Sequence, residues 1–83
     1  MTKRELNRDI KRLAKKFLQW QEGDRTIPEA DLKLEFRRLY HADREMTSLN
    51  RTSILLMIRM QRCLQVVPNH IFGLYIEIEK LIK

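Results

Sequence analysis

The stretch from Ser48 to Val67, SLNRTSILLMIRMQRCLQVV, is apolar on more of its circumference than one neighbouring element can cover, and it limits what the rest of the chain can do. Wound as a helix, it places Leu49, Leu56, Met60, Leu64 and Val67 on one face, with Met57 and Cys63 on its flanks. Ile54 and Ile58 form a second apolar row about 120° away, which leaves a narrow polar arc for Arg51, Arg59 and Arg62. Its length exceeds strand norms, and Leu, Met, Gln and Arg are good helix formers, so the pattern predicts a helix over 49–67. Such a helix must be packed by two partners.

The amino-terminal segment supplies one of them. Leu6, Ile10, Leu13, Phe17 and Trp20 repeat at alternating spacings of four and three, a single seam, and predict a helix over 3–21. Arg4, Arg8, Lys11, Arg12, Lys15 and Lys16 cover the opposite side, with Glu5 and Asp9 near its edge. Gly23 follows where a helix C-cap region needs a residue free to enter left-handed geometry. Thr26 and Glu29 are spaced as a capping box around Pro28, whose missing amide suits a first helical turn, so a second helix is expected over 28–42. Leu32, Phe36, Leu39 and Tyr40 form its apolar face, Leu34 falls outside it, and Glu29 and Asp31 complement the dipole of its first turn. Thr47, Ser48 and Asn50 are all acceptable N-caps for the central helix.

Pro68 is expected to end that helix, because it disfavours helical geometry at Val67 and offers no amide. Beyond it, Leu74, Ile76 and Ile78 alternate like a strand, whereas Ile71, Leu74, Tyr75, Ile78, Leu81 and Ile82 share a helical face. A lone strand would find no sheet elsewhere in the chain, so a helix over 69–82 is favoured, with Gly73 counting against it. The expected fold is all-α: one domain over residues 1–83, an antiparallel bundle of four helices with short connections. Leu13, Phe17, Phe36, Leu39, Leu56, Met60, Leu64 and Ile78, central on their faces, are its expected core. Ile54 and Ile58, with Phe72 and Ile76 off the main face of the last helix, are surplus to such a bundle and point to a two-fold homodimer.

Charge is distributed unevenly. The formal net charge is +6; residues 1–21 hold seven cations against two carboxylates, residues 48–67 hold three cations and no carboxylate, and residues 22–47 are net acidic. The single cysteine, Cys63, forms no internal disulfide and suits a reducing compartment. MTKRELNRDIKRL has no apolar signal core, and the run Ile54–Ile58 is too short to cross a bilayer, so a soluble, cytoplasmic protein without a membrane role is expected.

Catalytic chemistry finds little support. The histidines are His41 and His70, and no nucleophile, base and orienting group converge by spacing. Cys63 and His70 are separated by Pro68. His41, Asp43 and Glu45 suggest a metal cluster, but only His41 and Glu45 are spaced to share a helical face, beside Arg44, which reads as a solvated helix end. Two isolated glycines, Gly23 and Gly73, build no phosphate-cradling loop. A non-enzymatic binding module is therefore expected, with no cofactor, metal or small-molecule substrate.

Leu49, Asn50, Arg51, Thr52, Ser53 and Ile54, with Met57, resemble the opening of a helix-turn-helix recognition helix. In that family, polar residues at these positions project into the major groove. The segment before them departs from the pattern, since Asp43 and Arg44 stand where the family packs an apolar and a small residue. Two regions are thus candidates for contact with nucleic acid: the basic first helix, through Arg4, Arg8, Lys11, Arg12, Lys15 and Lys16, and the start of the central helix, through Asn50 and Arg51. An acidic protein surface is the alternative partner for the same cations.

Overall fold

The computed structural model describes residues 2–46, 50–68, 72, 73, 77 and 79–81, with the backbone alone at 44–46. It is all-α: α1 spans Lys3–Gln21, α2 Glu29–Met46 and α3 Arg51–Leu64. The described residues of the carboxy-terminal segment, Phe72, Gly73, Glu77 and Glu79–Leu81, are helical too.

Local chemistry sets the ends of α1. At its start the Thr2 hydroxyl accepts from the Glu5 amide at 3.2 Å and donates to Glu5 Oε1 at 3.0 Å. This capping exchange satisfies a donor that the helix leaves open. The hydrogen bond from the Thr2 side chain, then that from its backbone, holds the Glu5 carboxyl below its ordinary range. At the other end Gly23 adopts φ +103°, its amide donates to Trp20 and the Asp24 amide donates to Gln19. Those two bonds form the glycine-dependent stop expected there.

The connection to α2 departs from expectation. Thr26 does not close a box with Glu29; its amide and hydroxyl both donate to Asp24 Oδ1, at 2.9 and 2.6 Å. That aspartate turn holds the Asp24 carboxyl below its ordinary range, the Thr26 hydroxyl contributing most. α2 opens at Glu29, with the Pro28 carbonyl accepting from Leu32, and runs to Met46 rather than fading near residue 42. Its expected face is buried as a set: Leu32, Phe36, Leu39 and Tyr40; Leu34 is exposed.

For α3, the structure selects Asn50 as N-cap, its side chain accepting from the Ser53 amide at 2.9 Å. The helix stops at Leu64, before Pro68. Gln65 takes left-handed geometry at φ 50°, which costs about 1 kcal/mol for a residue with a Cβ. The Gln61 side chain fastens the turn by donating to the Val67 carbonyl at 2.5 Å and accepting from the Val67 amide at 3.2 Å. Polar bonding therefore ends this helix, and proline only follows.

α1 is the hub. It packs on α2 and on α3, while α2 and α3 scarcely touch each other among the described residues. The carboxy-terminal segment reaches both: Phe72 lies 6.3 Å from the Phe36 ring and 6.1 Å from that of Tyr40, and Glu79 pairs with Arg62 at 2.9 Å. A single core joins Leu6, Ile10, Leu13 and Phe17 to Leu32, Phe36, Leu39, Tyr40, Met57, Ile58, Met60, Leu64 and Phe72.

Two expectations about this core need correction. α3 is turned so that Ser53, Met57, Ile58, Met60, Gln61 and Leu64 are buried, while Leu56 is half-buried and Cys63 is exposed. Ile58 and Phe72, read as surplus surface for a homodimer, are each 1 % exposed within the single chain, and Ile54 is half-buried against the core. The chain thus covers most of the apolar set that pointed to a dimer. Ile76 and Ile78 lie outside the described residues. No helix among the described residues is long and apolar enough to cross a membrane.

Candidate functional site

Asn7 organises the surface where α1 meets the start of α3. It lies on the same side of α1 as Ile10 and Ala14, at the edge of the apolar seam, and is 9 % exposed. Its Nδ2 donates to the Lys3 carbonyl at 2.9 Å, and its Oδ1 accepts from the Asn50 amide at 3.0 Å. The first unpaired amides of α3 are thereby divided between two asparagines: Asn7 takes that of Asn50, and Asn50 takes that of Ser53.

This junction brings the two candidate regions together. Arg4, Arg8, Lys11, Arg12 and Lys15 from α1, with Asn7 and Asn50, line one open groove of about 510 Å³ that has no carboxylate in its lining. Arg8 touches Asp9 at 3.5 Å; Arg4, Lys11, Arg12 and Lys15 form no ion pair with a described residue. The positive end of the α3 dipole opens at Asn50 into the same space.

Not every expected contact belongs to it. Lys16 turns away to α2, pairing with Glu35 at 3.5 Å. Arg51 is exposed but outside the groove lining. The Asn50 side-chain oxygen is engaged in capping, so it is not free to read a base edge as a recognition helix would use it. Nor does α2 pack closely on α3, as the two helices of a helix-turn-helix would.

Sequence reasoning missed Asn7. The available signal was an asparagine in the second turn of a helix, past the capping positions, where its propensity is poor and where a side-chain hydrogen bond commonly explains its presence. The residues considered for chemistry are scattered. Cys63 is exposed, with Gln21 Nε2 3.8 Å from its sulfur, and His70 lies outside the described residues. His41 is exposed and meets the Tyr40 ring edge-on, whereas Asp43, read as part of a solvated helix end, is buried. Among the described residues no group of three or more His, Cys, Asp or Glu is placed to hold a metal ion.

A groove of this kind can hold an extended anion by charge and by N–H donors, without a fixed register for any one atom. The chain matches no known family model, and no curated protein or solved structure matches it either.

Proposed function

We propose that this chain is a non-enzymatic, cytoplasmic binding module that holds a nucleic-acid backbone in the groove between α1 and the start of α3, the carboxy-terminal segment completing a four-helix antiparallel bundle behind it. The observation that carries the reading is the set of five cations facing one groove with no carboxylate in the lining. From Arg4 to Lys15 the helix rises about 16 Å at 1.5 Å per residue. One strand of a duplex presents about five phosphates over that distance, so the charges match in number and in reach. Binding of this type is read through shape and charge, with little dependence on sequence.

The test is fluorescence anisotropy with labelled duplex and single-stranded DNA and RNA across about 50 to 200 mM salt. The expected result is binding that weakens linearly on a log–log plot. The triple substitution Arg4→Gln, Arg8→Gln, Arg12→Gln should flatten the duplex slope by up to about 2.7. Arg51→Gln, outside the groove, should leave it nearly unchanged. No binding at low salt, or loss with Arg51→Gln and not with the triple variant, would overturn the groove reading; the second result would favour a recognition-helix mode.

A further inference from the structure

Farther along α1 the same seam changes character. Below the cationic groove it opens into a cleft of about 340 Å³ whose apolar surface includes Leu18, Leu56 and Met60, bordered by Lys11 and Lys15 on the α1 side and Arg59 on the α3 side. Leu18 is 45 % exposed and Leu56 half-buried, although both border a concave surface. None of the three cations forms an ion pair with a described residue, whereas Lys16, Lys33 and Arg62 all do. The cleft therefore combines accessible hydrocarbon with positive charge that no carboxylate among the described residues pairs.

We propose that this cleft docks a short acidic amphipathic helix from a protein partner, a second binding activity distinct from that of the cationic groove. Its walls run from Lys11 to Leu18 on α1 and from Thr52 to Met60 on α3. At 1.5 Å per residue these are about 10 and 12 Å, which is two turns of a helix. A partner helix laid there presents side chains at i, i+3 or i+4, and i+7 to the apolar floor. Its flanking carboxylates then meet Lys11 and Lys15 along one edge and Arg59 along the other. Cations on both walls suit the two acidic margins of such a helix. The single headgroup of a fatty acid would instead be met by charge gathered at one end. Lys11 and Lys15 line both the groove and the cleft, so peptide and polynucleotide should compete in part.

The probe is a synthetic two-to-three-turn helix with Leu at i, i+3, i+4 and i+7 and Glu on its flanks, free of Trp. Two controls accompany it, one with Lys replacing Glu and one with scrambled order. Trp20 is the chain's one tryptophan and lies 5.9 Å from the ring of Phe17, which also lines the cleft. Its emission and the methyl NMR signals of Leu18, Leu56 and Met60 report occupancy. The expected result is saturable binding of the acidic peptide alone. Leu18→Glu or Arg59→Glu, with circular dichroism and melting unchanged, should weaken it by about tenfold or more. Arg4→Gln, Arg8→Gln, Arg12→Gln should spare it while weakening nucleic acid, so the two readings can fail separately. Equal binding of either control, or no response in the cleft methyls at millimolar peptide, would overturn the proposal. So would methyl shifts that follow protein concentration together with a dimer mass in light scattering, because a second copy would then be the occupant.

Discussion

The two contacts that α1 makes are finished differently at their rims. Toward α2 the charged edge is neutralised, with Lys16 paired to Glu35, and the α2 face beneath it is buried without exception. Toward α3 the seam is fastened by the Asn7–Asn50 hydrogen bond, its cations Arg4, Lys11, Arg12, Lys15 and Arg59 lack carboxylate partners among the described residues, and Leu56 is left half-buried. A chain this small has few side chains to spare for function. The difference teaches where they lie: both contacts bury one shared core, but the rim of the α1–α3 seam leaves charge and apolar surface open.

Truncations on the two sides of α1 should differ in cost. Phe36, fully buried on α2 and in ring contact with Phe72, should cost about 3 to 5 kcal/mol as Phe36→Ala, and Met60→Ala about 2 to 5 kcal/mol. Leu56→Ala should cost only about 1 to 2 kcal/mol, because that side chain is only partly buried. Urea midpoints at constant slope provide the measurement. A Leu56→Ala loss as large as that of Phe36→Ala would show that the α1–α3 seam is as closed as the α1–α2 contact.

A smaller effect isolates the fastening itself. Asn7→Ala leaves the Asn50 amide without its acceptor, and should cost about 1 to 2 kcal/mol. The loss should appear as faster amide exchange in the first turn of α3, with α2 unaffected. Exchange that accelerates equally in α2 would mean the two contacts are not separable.

The same asymmetry governs what could be read from sequence. On α1 and α2 each helix carries one apolar stripe, and one stripe leaves one way to pack; Leu6, Ile10, Leu13, Phe17, Leu32, Phe36, Leu39 and Tyr40 are all buried. α3 carries two stripes, and hydrophobic periodicity cannot choose a rotation between them. The choice went to a face that includes Ser53 and Gln61, polar residues that an apolar count passes over. Gln61 is buried because its amide closes the turn at Val67, an interaction visible only once the chain has folded back. Ile58, expected at an interface between copies, is covered for the same reason. The candidate site follows suit. Its cations were legible from charge alone, whereas their meeting with Asn50 depended on Asn7, and Lys16 was lost to Glu35 on a helix distant in sequence.

Asn50 allows the structural and binding roles of the α3 start to be separated. Asn50→Ala removes the cap and should cost about 1 kcal/mol. Asn50→Asp keeps an oxygen for the Ser53 amide, so its melting temperature should match that of the parent, while a negative charge enters the groove. Polynucleotide affinity should then fall and the salt slope lessen by about one. Unchanged binding by Asn50→Asp would place the bound phosphates away from the α3 end of the groove.

The smallest effect concerns acid. Two local hydrogen bonds loosen on protonation: that of Asp24, held by the Thr26 hydroxyl in the α1–α2 connection, and that of Glu5, held by the Thr2 hydroxyl at the amino-terminal end of α1 next to Arg4. Both carboxyls sit below their ordinary values in the folded chain, so the unfolded chain binds protons first as pH falls. Their contribution is complete above the unfolded carboxylate values of about 4 and disappears as pH drops through the lowered folded values. Melting temperature should therefore decline through that window, and Asp24→Asn and Glu5→Gln should each make the decline shallower. Both groups are solvent-exposed and screened, so the change should be slight and should shrink further with salt. The two variants differ in a second readout. Glu5→Gln should loosen the first turn of α1, and with it the position of Arg4 in the groove, whereas Asp24→Asn should act on melting alone. If Asp24→Asn altered polynucleotide binding as much as Glu5→Gln, the α1–α2 side would have to be counted as part of the functional surface.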